Sequence, residues 1–217
     1  MRRHLLTTMV LLVFVLNTTA CSYTPPKPAS QRPEDYPFRV SKTGLTVAVR
    51  AFLSEEQLKE TLSGGEDYLS NNVLPIQVLI RNDTQDEQLL RTSFVRLVWS
   101  DGSIRSALTP SETFEAVKSS VAGGAIMMGV IGAAAASSQN ENIMKDLTTV
   151  TLKDTNISPR ASATGFAFFK LSKGDTSLTG TKLRVILQNP TGLTETILEI
   201  ALGGDLPKSR GAVPPKQ

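Results

Sequence analysis

Residues 94–108, FVRLVWSDGSIRSAL, carry the clearest indication of the fold class of this chain. In its first half every second residue is a large apolar one, namely Val95, Leu97 and Trp99. Alternation with a period of two is typical of a half-buried β-strand. Asp101–Gly102 separates this strand from a second one at Ile104–Leu108. Asp-Gly between two such runs indicates a tight hairpin, and we expect a type I′ turn because glycine tolerates a positive φ.

The same alternation recurs along the chain on both sides of this hairpin. Strands are predicted at 45–51, 76–81, 150–152, 165–171, 183–188 and 194–202. Asn189-Pro190-Thr191-Gly192 joins the last two and suits a type I turn. Seven or eight short strands with turn signals predict a mainly β chain, an antiparallel β-sandwich of immunoglobulin-like type. The inter-sheet disulfide of antibody domains is excluded, because the chain has one cysteine.

Two helical pieces interrupt the predicted strands. Ser54 and Gln57 form a capping box, and we expect that helix to end near Gly64–Gly65. A second capping box begins at Thr109, with Pro110 at the first helical position. We therefore expect a sandwich domain at residues 43–202 that carries a helical insertion at 110–147.

The positions of histidine and cysteine exclude several kinds of catalytic and metal-binding site. The single histidine is His4 and the single cysteine is Cys21, so the chain after Cys21 has neither side chain. A Ser–His–Asp triad, a Cys–His nucleophile, a structural zinc site and a His-ligated haem are therefore excluded from the body of the protein. We predict no catalytic, cofactor-binding or metal-binding residues.

The N-terminus reads as an export signal. Arg2 and Arg3 precede an apolar run from Leu5 to Leu16, which is too short to span a bilayer. Ala20–Cys21 follows, and a small residue directly before a cysteine looks like a bacterial lipobox, although Thr18 stands where leucine is usual. Residues 1–20 are thus a predicted signal peptide and Cys21 a predicted lipidation site. The alternative is ordinary cleavage after Ala20, which leaves an unmodified N-terminal cysteine.

Removal of the signal nearly neutralises the chain. The whole chain has 23 Lys and Arg against 20 Asp and Glu; the signal removes two arginines and no acidic residue, which leaves a net charge of +1. No basic stripe of the kind that binds nucleic acid is visible. Because Ser22 is not the aspartate that retains many lipoproteins in the inner membrane, we expect an outer-membrane lipoprotein that faces the periplasm. The inner membrane and the cell surface stay open.

Both ends of the mature chain are rich in proline. Five prolines lie between residues 22 and 37, which favours extended polyproline conformation. We expect residues 21–42 to form a tether, in which the proline-rich stretch 22–37 reaches roughly 50 Å at about 3.1 Å per residue. Residues 203–217 are rich in glycine and proline, and we expect a flexible tail.

An uncharged segment of 22 residues, 119–140, is the least usual part of the chain. Small residues recur in it at intervals of four: Ala125, Gly129, Ala133 and Ser137. Such spacing lines one helix face with small side chains and allows a second helix to approach closely. We predict helix packing on this face, within the chain or with a protein partner. Membrane insertion and disorder are the alternatives.

Several short motifs between residues 44 and 200 resemble a layout of uncharacterised bacterial envelope lipoproteins. They are GLTVAVRAF from Gly44, NVLPI from Asn72, then IRND, WSDG and ISPRASATGFAFF. The resemblance implies an exported sandwich domain and brings no catalytic residues. The chain departs from the usual Pro-Gly at one turn, where Arg160 follows Pro159.

Without histidine and cysteine, the main remaining candidates for catalytic or metal-binding side chains are carboxylates. Asp83, Asp86 and Glu87 cluster after one predicted strand, but the glycine and distal glutamate of a calcium loop are missing. We therefore predict a lipid-anchored envelope protein that acts as a non-enzymatic binding or structural module, with a protein partner or self-association. The alternatives are a membrane-perturbing protein that uses the Gly/Ala-rich helix and a carboxylate-dependent hydrolase.

Overall fold

The computed structural model describes residues 23, 25–26, 29–118 and 121–206, and for residues 121–135 it describes the helical backbone without the side chains. The expected signal peptide at 1–20, the expected lipidation site Cys21 and residues 207–217 of the expected tail lie outside the described residues.

Two antiparallel sheets form the body of the described chain. The first has the spatial order β1 (Phe38–Lys42), β2 (Leu45–Ala51), β3 (Val73–Asn82) and β7 (Ser162–Lys170). The second has the order β5 (Ile104–Ser106), β4 (Gln88–Val98), β8 (Lys182–Gln188) and β9 (Glu195–Ala201), and β6 (Thr155–Ile157) also pairs with β4. The mainly β class and the antiparallel sandwich are confirmed.

The main core lies between the two sheets. Since side chains alternate across a strand, one face of each sheet supplies it, through Val47, Val49, Ile76, Val78 and Ile80 of the first sheet and Leu90, Val95, Leu97, Leu183, Val185, Leu187, Leu198 and Ile200 of the second. All of these side chains are at most 3% exposed. Trp99 is buried in the same core, as its place in the alternation predicts.

Four α-helices and one 3₁₀ turn at Pro33–Asp35 complete the described chain, and the α-helices are α1 (Glu55–Lys59), α2 (Gly65–Ser70), α3 (Pro110–Val117) and α4 (Val121–Val150). The capping box at Thr109 is confirmed, because its side chain accepts the Glu112 N–H while the Glu112 carboxylate accepts the Thr109 N–H. The glycine pair plays a different role from the expected one. Gly64, with φ of 65°, is the N-cap of α2, so the pair begins a second helix instead of ending the first.

The helices cover the outer face of the first sheet. There an aromatic row runs from Phe52 over Phe166 and Phe168 to Tyr68, with ring centroids 5.4, 5.9 and 5.7 Å apart. Leu58 and Ile143 are fully buried in the same cluster. As a result β3 is buried on both faces along most of its length, which explains its nearly continuous apolar sequence.

Two further local predictions were wrong. Gly102, at φ of 85°, has the one positive φ among residues 99–103, whereas a type I′ turn needs two. The hairpin therefore uses a longer connection with a left-handed glycine. Val150–Leu152 is not a strand, since Val150 ends α4 and Thr151 makes one isolated bridge to Phe166. A run of three residues, of which two are apolar, is too short to distinguish a strand from a helix end.

The packed domain extends further at both ends than 43–202. β1 lies inside the range expected to be tether, and before it Tyr36 is buried against Ala48 and Leu79 on the first sheet. The Arg50 guanidinium holds this segment by donating to the Asp35 carbonyl oxygen at 2.6 Å. At the other end Leu206 is buried, and its N–H donates to the Thr176 carbonyl oxygen. The segments around Tyr36 and Leu206 therefore belong to the packed domain because each buries an apolar side chain, although their composition is typical of linkers.

The unusual turn before β7 keeps the geometry that glycine normally provides. The Ala161 N–H donates to the Ser158 carbonyl oxygen at 3.0 Å, and Arg160 takes a positive φ of 64°. Proline at the second position and a left-handed residue at the third are the marks of a type II turn. The Arg160 N–H also donates to the Asn82 carbonyl oxygen at 2.6 Å, so the strained residue is held by a long-range contact.

Candidate functional site

A gap in the second sheet creates the candidate site. β6 pairs with residues 88–90 of β4 and β5 with residues 96–98, both on the edge that faces away from β8. Among the described strands, none pairs on that edge with residues 91–95. The register with β8 also shifts between Leu90 and Val95. An irregularity of this kind bends a strand and re-aims its side chains, and it is common beside binding sites.

The two chain segments that flank the helical insertion form the sides of the gap. The Leu108 N–H donates to the Phe168 carbonyl oxygen at 2.7 Å, and the Leu152 N–H donates to the Phe166 carbonyl oxygen at 2.9 Å. Both bonds lie on the edge of β7 that does not pair with β3. Helices α3 and α4 therefore leave and rejoin the sandwich at β7, directly beside the gap in β4.

The space enclosed by these segments is a cavity of about 490 Å³, within the range of small-molecule binding sites. Its apolar lining comes from both sheets and from the insertion: Val95, Ala107, Leu108, Pro110, Leu152, Phe166 and Ala167. Its polar lining contains mostly hydroxyl groups: Thr92, Ser93, Ser106, Thr109, Thr148, Thr151, Lys153 and Asp154. We call this space the sandwich cavity.

One of the two charged side chains that line the sandwich cavity, Asp154, is already engaged in hydrogen bonds. The Asp154 carboxylate accepts the Thr92 N–H at 2.8 Å and the Thr92 hydroxyl at 2.7 Å. These bonds hold the pKa of Asp154 below its usual value. Asp154 thus satisfies a backbone N–H that the gap in β4 leaves without a neighbouring strand. Lys153 is exposed, and the buried Thr151 Oγ1 has no hydrogen-bond partner within the described structure.

A second polar cluster lies between α4 and the α1–α2 connection. Asp146 is 1% exposed. Its carboxylate accepts the Ser63 N–H at 2.7 Å and the Tyr23 hydroxyl at 2.5 Å. The Lys145 ammonium lies 4.2 Å from the centre of the Tyr23 ring. Burial, together with the hydrogen bond to Asp146 and its charge, raises the pKa of Tyr23 to about 12. We call this contact the Tyr23 latch.

The neighbouring groups make this region acidic and tightly packed. Burial, followed by the charges of Glu66 and Glu55, raises the pKa of Asp67 to about 6. The Gln139 side chain donates to Asp67 at 3.1 Å. The Tyr68 hydroxyl is buried without a hydrogen-bond partner in the described structure, and burial raises its pKa.

The predicted helix-packing stripe is described only at one residue. The side chains of Ala125, Gly129 and Ala133 lie outside the description, and Ser137 is exposed. In the described half of α4, the side chains buried against the body are Ala136, Ile143, Asp146 and Leu147. The predicted packing through Ala125, Gly129, Ala133 and Ser137 stays a prediction.

The acidic loop after β3 is organised by its own side chains. Arg81 pairs with Asp83 at 2.9 Å, and the Asn82 amide donates to the Asp86 carbonyl oxygen at 2.8 Å. Among the described residues, no group of three or more acidic, histidine or cysteine side chains could hold a metal ion. No helix in the described ranges has the length and apolar character needed to cross a membrane.

Sequence reasoning missed both the sandwich cavity and the Tyr23 latch. The cavity depends on the placement of β5 and β6 at opposite ends of β4, and no motif marks such a gap. The latch joins residues 123 positions apart. The one available signal was Tyr23 itself, one of two aromatic residues in a mostly polar, proline-rich stretch.

Comparisons with known proteins give distant likenesses only. A candidate lipoprotein (ycdA) from Bacillus subtilis subsp. subtilis str. 168 has a TM-score of 0.40 and 15% identity, over 75% of this chain and 38% of that one. A functionally unknown protein from Listeria monocytogenes EGD-e has a TM-score of 0.34 and 10% identity, over 76% and 80% of the two chains. This chain thus spans less than half of the ycdA chain. No protein family and no curated protein matches it.

Proposed function

We propose that this chain is a lipid-anchored protein of the bacterial envelope whose β-sandwich binds a small apolar ligand without transforming it. The anchor is the lipid on Cys21, and the outer membrane, on its periplasmic side, is the membrane that holds it. The sandwich cavity carries the binding part of this proposal. The lipobox-like Ala20–Cys21 after an apolar run carries the anchoring part.

The lining of the sandwich cavity defines the class of ligand. Val95, Leu108 and Phe166 offer an apolar surface drawn from both sheets, which suits a hydrocarbon or aromatic group. Thr151, whose buried Oγ1 lacks a partner in the described structure, offers one hydrogen bond to a hydroxyl or carbonyl group. A few convergent polar groups in a mainly apolar pocket are the usual basis of orientation and specificity.

Binding without catalysis agrees with the side chains that line this cavity. Among the described residues that line the cavity, Asp154 is the one carboxylate, and both of its described bonds go to Thr92. A general base needs a raised pKa and access to the reacting proton, whereas the pKa of Asp154 is lowered. The chain after Cys21 also lacks histidine and cysteine, which removes the commonest nucleophile–base pairs.

Filling the sandwich cavity should weaken the binding of an apolar probe. Ala107 lines the cavity and is partly buried, so Ala107→Phe places a ring in the space that a ligand needs. We expect the apparent Kd for N-phenyl-1-naphthylamine, measured by its fluorescence increase, to rise at least about tenfold, which corresponds to about 1.4 kcal/mol.

Ala201→Phe is the matched control, because Ala201 is exposed on β9 and does not line the cavity. It should leave the Kd unchanged, and circular dichroism should show that both variants remain folded. Equal binding by Ala107→Phe and the original chain would refute the cavity as the site.

The lipid anchor has its own test. Cells that express the full chain are labelled with an alkyne fatty acid, and the protein is isolated and coupled to a fluorophore. We expect labelling of the original chain and none of Cys21→Ala, since no other cysteine is available for thioether linkage. Ser22→Ala serves as the control and should label normally. Equal labelling of the chain with and without Cys21 contradicts the anchor.

A further inference from the structure

The Tyr23 latch holds the chain immediately after the expected lipidation site against α4. The hydroxyl of Tyr23 reaches Asp146, its ring lies under the Lys145 ammonium, and Asp146 is otherwise bound by the Ser63 N–H. Hydrogen bonds to an ionised acceptor are among the stronger ones in proteins. The latch therefore provides three kinds of attachment: partial burial of the Tyr23 side chain, a charge-assisted hydrogen bond and a cation–π contact.

The short distance in sequence between Cys21 and Tyr23 has a geometric consequence. Two residues span at most about 7 Å even when fully extended. A lipid on Cys21 must enter the bilayer, so a latched Tyr23 brings α4 to the membrane surface. Further along the chain, Tyr36 is buried on the first sheet, so the segment between the two tyrosines is held at both ends.

We propose that the exposed face of α4 around Ser138, Glu141 and Lys145 is a membrane-contact surface, brought by the Tyr23 latch against the phospholipid headgroups of the bilayer that holds the Cys21 lipid. This inference rests on the lipid anchor of the proposed function. In this arrangement the helical layer of the domain lies on the membrane surface. The domain is then not held away from the membrane by a tether of roughly 50 Å.

The chemistry of this face determines the depth of contact. Ser138, Glu141 and Lys145 are exposed and follow one side of α4 at intervals of three and four, whereas Ile143 and Leu147 face the body. Charged side chains are costly inside hydrocarbon. The face therefore meets the headgroup layer, where Lys145 can approach lipid phosphates, and it does not enter the bilayer core.

Fluorescence quenching by lipids measures the orientation directly. The acylated full chain is reconstituted into phosphatidylcholine and phosphatidylglycerol vesicles that contain a headgroup spin-labelled lipid. Ser138→Cys or Gln85→Cys then carries a bimane label, because the Cys21 thiol is blocked by the lipid. Gln85 is exposed in the loop after β3, and β3 spans about 30 Å from its start beside α2.

We expect quenching of the Ser138 label to exceed that of the Gln85 label at least threefold. Tyr23→Ala should reduce the Ser138 quenching to the Gln85 level, since release of the latch restores a flexible tether. Pro25→Ala, an exposed position two residues further on, is the matched control and should preserve the difference.

Two results would overturn the inference. One is equal quenching at the two labels, and the other is unchanged Ser138 quenching in Tyr23→Ala. Flotation of the same vesicles tests the Cys21 lipid anchor separately from the Tyr23 latch. A protein that floats without the predicted quenching pattern keeps its anchor and lacks the latch, whereas a protein that does not float contradicts the proposed anchor itself.

Discussion

Replacing Asn82 with alanine is expected to lower the free energy of unfolding by about 3 kcal/mol. The Asn82 side chain is completely buried, and its amide donates to the carbonyl oxygens of Ile157 and Asp86 at 2.9 and 2.8 Å. Its own oxygen accepts the Thr84 N–H at 3.0 Å. Alanine leaves these groups without their partner, and a buried unsatisfied group costs its full desolvation penalty.

Thermal unfolding of the unlipidated chain from residue 22 measures this effect. For a domain of this size the loss corresponds to roughly 6–12 °C in the midpoint. Asn156→Ala is the control, because Asn156 is exposed on β6 directly beside Ile157, and it should change stability by less than about 0.5 kcal/mol. An Asn82→Ala midpoint that matches the original chain would show that Asn82 does not hold β3, β6 and the acidic loop together.

Gly65→Ala should destabilise the helical layer by about 3 kcal/mol, at the upper end of ordinary overpacking costs. A Cβ atom added at Gly65 would lie 2.3 Å from both the Leu58 carbonyl carbon and the Lys59 nitrogen. These are backbone atoms, so no side-chain rotation can relieve the contact. The two short helices α1 and α2 must separate, and Leu58 and Tyr68 then lose part of their burial.

Gly65→Ala should also affect the Tyr23 latch. The α1–α2 connection supplies the Ser63 N–H that binds Asp146, so Gly65→Ala is expected to increase amide exchange at Ser63 as well as to lower the unfolding midpoint. Gly174→Ala is the matched control, because nothing lies within 4 Å of a Cβ there and its φ is not positive. A Gly65→Ala protein as stable as Gly174→Ala would show that the close approach of α1 and α2 is not required.

Alternation of apolar residues predicted the strands reliably where one strand face is buried and the other exposed. β2, β8 and β9 lie within one residue of their predicted bounds. The prediction of strands failed where the run of residues was only about three long, because so short a run has no clear periodicity. β6 has three residues and becomes a strand only because β4 lies beside it, while residues 150–152 form the end of a helix and one isolated bridge.

The class of fold, the two capped helix starts and the absence of histidine and cysteine side chains after Cys21 could be predicted from the sequence, because they depend on local periodicity, short-range hydrogen bonds and composition. The sandwich cavity, the role of Asn82 and the attachment of Tyr23 to Asp146 became visible only in the folded chain. Each of these joins groups that are far apart in sequence, such as Thr92 with Asp154 and Asn82 with Ile157. Such contacts are selected by burial and hydrogen-bond satisfaction in the packed chain, and no local pattern encodes them.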